Sequence, residues 1–158
     1  GDISSFMSST CEFDLIMCCF DSINHLINVG QWESLIENAK VMLSAGGTFI
    51  FDFTTVYDHM NNWPYYMDVQ EVPNDYYLVR YGDYDKKRNI AKMNFDFFIM
   101  DSEKRFEKYH DEIEQISIDI DDLEMILKEN FSNVRFLDLN ENEPLSERTP
   151  HAIAICQF

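Results

Sequence analysis

Apolar residues run almost without a break from Asp14 to Phe20, a pattern that predicts a β-strand covered on both faces. Farther on, Trp32, Leu35, Ile36, Ala39 and Leu43 recur at the spacing of one helical stripe, so the pattern predicts a helix over Gln31–Leu43. Gly46-Gly47 is expected to end that helix and turn the chain. Thr48–Phe53 is β-branched and aromatic and predicts a second core strand, closed by Asp52 and the polar pair Thr54-Thr55. Strand, loop, helix, glycine turn and strand make half of a parallel α/β domain. Open sheets of this kind place their ligands outside the carboxyl ends of the strands.

The middle of the chain has another rhythm. Tyr57–Pro73 mixes tyrosines, methionines, Trp63, Pro64 and Pro73 with polar residues and reads as a loop or a short irregular helix. Three stretches suited to antiparallel strands follow, Tyr76–Tyr84, Ile90–Met100 and Arg105–Ser117. Polar turns are expected at Asp85-Lys86-Lys87 and at Asp101-Ser102-Glu103-Lys104. Helical spacing returns at Asp119–Asn130, where Asp119, Asp121 and Asp122 suit the positive end of the helix dipole. Asn133–Leu139 and Ala152–Phe158 are the last predicted strands. The expected organisation is one partial domain over 1–158, with 57–117 inserted as a lid, a substrate-side platform or a purely structural extension.

Composition narrows the function classes. The chain has 158 residues, 46% of them apolar and 15% aromatic, enough for one domain with a sizeable core. Its net charge is −17, and so negative a surface repels a phosphate backbone, so no nucleic-acid partner is expected. No apolar run approaches a membrane span and nothing resembles a signal peptide. Cys11, Cys18, Cys19 and Cys156 have no paired metal spacing and read as reduced, mostly buried thiols of a cytoplasmic protein.

Candidate chemistry gathers where the first strand ends. Asp21, Ser22 and Asn24 follow it directly and either present polar groups to a ligand or cap the next turn. His25 and His110 are the candidate acid–base groups, because an ordinary imidazole titrates near neutrality; His59 and His151 have weaker context. Alternation puts His110, Glu112 and Glu114 on one strand face, as a metal site or as a solvated face. The histidines lack a helical H-E-x-x-H arrangement, so no metal is expected. There is no G-x-S-x-G elbow and no G-x-x-x-x-G-K-[ST] loop.

Three segments carry a resemblance. Phe13-Asp-Leu-Ile leads to Asp21-Ser-Ile-Asn24, Leu43-Ser-Ala-Gly-Gly-Thr-Phe-Ile-Phe-Asp52 follows, and Ser146-Glu147-Arg148 precedes the last strand. In this order the chain resembles, over essentially its whole length, the later portion of a class I S-adenosylmethionine-dependent methyltransferase of the small-molecule group. The resemblance implies an α/β, Rossmann-like methyltransferase fold, partial, with parallel strands, an antiparallel last strand and an inserted antiparallel three-stranded meander. Phe13–Phe20, Thr48–Phe53, Asn133–Leu139 and Ala152–Phe158 would be the fourth to seventh strands. It implies S-adenosylmethionine as cofactor, with Asp2 on the adenine amino group, Ile3 beside the ring, and Cys19, Phe20 and Asp21 along the methionine part. Acceptor-side groups would be Asn24, Asp52, Thr54, Trp63, Tyr65 and Tyr109, with His110 or His25 as the base. An acidic pocket containing Trp63, Tyr65 and Tyr66 suits an amine acceptor.

The sequence departs from that family in two places. The glycine-rich loop, first helix and ribose-binding acid that precede the Asp2 position there are not in this sequence. The chain is therefore expected to behave as a fragment that binds cofactor poorly alone. It is expected to associate through the Phe13–Phe20 edge, with an identical copy or with its N-terminal half, or else to be poorly soluble. Lys128–Val134 lacks the family's glycine, and Asn130 is expected to take the left-handed conformation in its place. Two other readings stay open: a non-catalytic assembly module derived from a methyltransferase half, and a nicotinamide-dependent enzyme.

Overall fold

The computed structural model describes residues 3–6, 13–139 and 143–158. In chain order the elements are β1 (Phe13–Cys18), α1 (Val29–Met42), β2 (Leu43–Thr54), α2 (Val56–Asn61), β3 (Met67–Val72), β4 (Tyr76–Asp85), β5 (Ile90–Met100), β6 (Phe106–Gln115), α3 (Ile120–Lys128), β7 (Asn133–Asp138) and β8 (His151–Gln157). Short 3-10 turns lie at Ile3–Ser5, Ser22–His25 and Trp63–Tyr65. The chain divides into two compact units, Gly1–Asp58 with Ile116–Phe158, and His59–Gln115.

The first unit is a mixed α/β layer whose strands lie in the order β1-β2-β8-β7. β1 runs parallel to β2, and β8 is antiparallel to both β2 and β7. Alternation along β2 turns Phe49, Phe51 and Phe53 to one face, where all three are fully buried. The paired positions Cys156, Ala154 and Ala152 on β8 are small enough to let that aromatic row lie flat against the helices. Trp32 of α1 meets Phe53 edge to face, with ring centres 6.4 Å apart, and Phe131 stacks at a tilt on Phe49 at 6.3 Å. The Trp32 indole N–H is satisfied by the Leu26 carbonyl at 3.0 Å. Asn28 caps α1 by accepting from the Gln31 amide, and Asp119 caps α3 in the same way from Asp121.

Three local expectations are corrected here. α1 stops at Met42, ahead of the glycine pair, and Gly46-Gly47 lie inside β2, where the pairing with β1 shifts between Phe13 and Leu15. A side chain at Gly47 would meet the carbonyls of Ser44 and Phe13, and Gly46 has φ +81, so the pair serves a bulge and not a helix stop. Asn130 is not left-handed. α3 closes with the Asn130 and Phe131 backbone N–H groups sharing the Leu127 carbonyl, the first of them a tightened bond, while Asn130 Nδ2 donates to the Ile126 carbonyl. Finally, β1 is covered on one face only among the described residues: Leu15 is 50% and Met17 58% exposed, and β1 is the edge of its sheet.

The second unit is an antiparallel sheet in the order β3-β4-β5-β6. The expected three-stranded meander is thus four-stranded. The added strand, Met67–Val72, lies in the stretch expected to be a loop or a short irregular helix, which also holds most of α2 and the 3-10 turn. Its six residues sit between two prolines and pair with β4 alone, so neighbour contacts rather than intrinsic propensity make it a strand. The turn Trp63–Tyr65 packs tightly on this sheet. Gly82 donates to the Tyr66 carbonyl at 3.1 Å, and a Cβ at Gly82 would run into the Trp63 carbonyl. Gly82→Ala should therefore destabilise the second unit by about 2 kcal/mol through overpacking. Urea unfolding followed by tyrosine and tryptophan fluorescence measures this, and an unchanged midpoint would contradict the close approach.

Candidate functional site

The carboxyl end of β1 leads into an unusual turn. Phe20 and Asp21 both have positive φ, 61° and 47°, conformations that a bulky aromatic residue rarely adopts. Three interactions hold them there. The Asp21 amide donates to Asp52 Oδ2 at the end of β2, 3.0 Å away. Ser22 Oγ donates back to the Cys19 carbonyl at 2.7 Å, and the Asn24 amide closes on the Asp21 carbonyl at 2.9 Å. The result leaves the Phe20 ring 89% exposed beside a half-buried Asp21.

Asn24 and Thr54 were expected to touch substrate, and the structure corrects both. Each is fully buried. Asn24 Nδ2 donates to the carbonyls of Thr54 and Ile116, at 2.9 and 2.8 Å, and its Oδ1 accepts the Thr54 amide at 2.9 Å. The Asn24 carbonyl accepts from the Ile116 amide, and Ser117 Oγ donates to the Thr54 carbonyl at 2.7 Å. Both N–H donors of this amide are taken, its oxygen accepts a backbone N–H, and burial seals the rest from a ligand. Its work is to lock the β1 exit to the β2 exit and to the segment after β6. The signal that would have found Ser117, a hydroxyl inside the apolar run Ile116–Ile118, was present but unread.

Along β1 runs an apolar cleft of about 460 Å³, walled by Ile3, Phe6, Leu15, Met17 and Cys18, with Cys19 and Ser22 at its polar end. Ile3 and Cys19, both expected cofactor contacts, thus share one concavity. Asp2 lies outside the described residues, as does Cys11. His25, exposed, sits on the same short turn as Asn24.

The remaining expected residues belong to the second unit. Tyr65 is 85% exposed, and half-buried Trp63 meets the ring of buried His59 edge to face at 4.7 Å. His59 also shares a 3.1 Å hydrogen bond with Gln115. His110 and Tyr109 are exposed neighbours on β6 and, by alternation, point to opposite sheet faces. The Tyr109 hydroxyl bonds to Glu107, which raises its pKa. His110 Nδ1 lies 2.7 Å from Asp96 on the adjacent strand. Lys108 first, then His110, holds the Asp96 carboxyl below its ordinary pKa. Asp96 escaped the sequence reading because its place opposite His110 depends on strand register. Glu112 and Glu114, on the His110 face, both pair with Lys92, a solvated ion-pair ladder. Among the described residues no group of three or more His, Cys, Asp or Glu side chains is arranged to hold a metal ion. No described helix is long and apolar enough to cross a membrane.

Comparison with known proteins gives a likeness of fold. No family model matches, and neither does any curated protein sequence. Among solved structures, an S-adenosylmethionine-dependent methyltransferase from Clostridium acetobutylicum has a TM-score of 0.81 at 22% identity, covering 100% of this chain and 63% of its own. A sugar N-methyltransferase from a Streptoalloteichus species gives 0.73 at 14% identity, covering 100% and 61%. An amino pentose methyltransferase from Micromonospora echinaspora, solved with S-adenosylmethionine bound, gives 0.70 at 12%, covering 99% and 63%. The chain therefore resembles small-molecule methyltransferases of class I in its mixed α/β fold, and spans less than two thirds of the length of each.

Two outcomes follow from the site geometry. Asn24→Leu removes the side-chain partner of the buried Thr54 amide and Ile116 carbonyl, leaving the Thr54 carbonyl to Ser117, and should lower stability by about 2 kcal/mol or more, measured by urea unfolding; a loss under about 1 kcal/mol would deny the clamp. Burial, then the Asp52 carboxylate, pushes the Cys18 thiol up to about 11, and burial pushes Cys156 to about 12. At pH 8 Cys18 is then thiolate in roughly one molecule per thousand, a fraction that grows tenfold per pH unit. Exposed Cys19 should be alkylated by iodoacetamide well before either, read by peptide mass mapping; equal rates would contradict this.

Proposed function

We propose that the protein transfers a methyl group from S-adenosylmethionine to a small-molecule nucleophile, with an amine as the favoured acceptor. The observation that carries this reading is the cleft along β1, which opens beside a strained polar turn at the carboxyl ends of two parallel strands, the ligand edge of such sheets. Its size suits a cofactor-sized ligand. The residues present fit a nucleoside with a polar tail: Ile3, Met17 and Cys18 offer an apolar wall, and Cys19 and Ser22, which flank the Phe20–Asp21 turn, offer polar edges. On this reading β1, β2, β7 and β8 correspond to the fourth, fifth, sixth and seventh strands of the methyltransferase sheet. Ile3, Cys19, Phe20 and Asp21, together with Asp2, would hold the cofactor.

When bound, the cofactor supplies a methyl on a sulfonium, already activated for displacement. What remains for the chain is to orient the reactants, exclude water and take a proton from the acceptor where one must leave. His25 and His110 are the proposed bases. The Asp96 carboxylate orients the His110 imidazole through Nδ1, the arrangement by which a carboxylate fixes a histidine tautomer and leaves Nε2 to accept a proton. Trp63 and Tyr65 are proposed to recognise the acceptor through their aromatic faces, and Tyr109, on the sheet face opposite His110, to do so where His25 is the base. The bond of Asp52 to the turn favours a supporting role for it over acceptor contact. Sugar and glycopeptide N-methyltransferases among the structural neighbours support the amine. Reduced Cys18, Cys19 and Cys156 fit a cytoplasmic setting.

The exposed β1 edge favours a second reading, an assembly module that pairs through Phe13–Cys18 with a copy of itself or with a preceding segment. Titration calorimetry of S-adenosylhomocysteine into the full-length protein separates the two. Saturable one-to-one binding is expected, weakened about tenfold or more by Asp21→Ala with an unchanged circular dichroism spectrum. Absence of binding, joined to concentration-dependent sedimentation, would replace the enzyme reading with assembly.

A further inference from the structure

Positive φ at two consecutive non-glycine residues persists only where surrounding structure imposes it. Phe20 and Asp21 are such a pair, and neither residue is compensated by burial: the ring is exposed and Asp21 is half-buried. Within the turn, Ser22 and Asn24 close its C-terminal side by local bonds to Cys19 and Asp21. Asp21 is tied to another strand by the 3.0 Å bond from its amide to Asp52 Oδ2. Asp52 lies on the half-buried face of β2, opposite the row of Phe49, Phe51 and Phe53, and is close enough to Cys18 to act on its thiol.

We infer that Asp52 is a positioning residue: its carboxylate holds the Phe20–Asp21 turn in the left-handed form before any ligand arrives, so that the cofactor edge of the cleft is preformed. The inference rests on the proposed cofactor reading for the identity of the ligand, though not for the turn itself. A hydrogen bond from an amide to a carboxylate belongs to the stronger class, and here it acts on a backbone that would otherwise relax toward ordinary φ. Preformation matters because a ligand that must first order a loop binds more weakly by the fraction of time the loop is ready.

Two variants of the full-length protein test this, Asp52→Asn and Asp52→Ala, each with two readouts. Amide hydrogen exchange at Asp21, measured without ligand, reports the turn. Calorimetry with S-adenosylhomocysteine reports its consequence. Asp52→Asn keeps an oxygen acceptor and removes the charge, so it should retain protection and affinity within about threefold of the parent. Asp52→Ala should lose Asp21 protection and about tenfold or more in affinity. Unchanged exchange in Asp52→Ala would overturn the inference. So would an equal loss of affinity in both variants, which would mean that Asp52 meets the ligand by charge. Should the unaltered protein bind no S-adenosylhomocysteine, the proposed function fails, and exchange at Asp21 alone still decides whether Asp52 holds the turn.

Discussion

The side-chain amide of Asn24 is the interaction on which the first unit depends. Three chain segments end near one another there with unpaired backbone groups: the loop after β1, the last residue of β2, and the stretch that returns after β6. Strand ends in a buried place present N–H and C=O groups that no ladder satisfies. Asparagine offers both two donors and an acceptor on one short side chain, and Asn24 uses each of them within 3 Å. A carboxylate would bring charge without donors, and a hydroxyl would not span the gap. Everything at the carboxyl edge, including the geometry of the Phe20–Asp21 turn, is built out from this buried junction.

That junction explains which parts of the molecule were legible in the sequence. Periodicity reports burial, so the phenylalanine row of β2, the Trp32 stripe of α1 and the alternating strands β4 to β6 could be read directly. The β5 bounds, Ile90–Met100, match the expectation to the residue, and β7 and β8 to within one. Local pattern is silent where partners decide. β3 owes its strand state to β4, and the glycine pair reads as a helix stop until the shifted pairing of Phe13 and Leu15 is known. For the site, the sequence located the polar cluster after β1 but could not say which members face solvent. Asn24 and Asp21 are three residues apart with similar chemistry, yet one is sealed in the core and the other is half-buried in the turn between the cleft residues Cys19 and Ser22. Their difference comes from contacts with Ile116, 92 positions away, and Asp52, 31 away.

With so many polar groups at the strand ends engaged with one another, recognition in the cleft falls to its apolar wall and to shape. The net charge of −17 then acts differently from a charged binding site. It sets a long-range potential that raises the local concentration of cations, while no Asp or Glu is among the described side chains that line the cleft. Under the methyl-transfer reading this division is chemically useful. A sulfonium cofactor and an ammonium acceptor are both drawn toward the protein, but a carboxylate fixed against the acceptor nitrogen would keep it protonated and unreactive. A base that can change its charge near neutrality, such as a histidine, resolves the conflict, since it releases the nitrogen lone pair without leaving a permanent negative partner beside it. Under that reading the acidic surface handles attraction at a distance and a histidine handles the proton, with the Asp96 carboxylate set on the far ring nitrogen of His110.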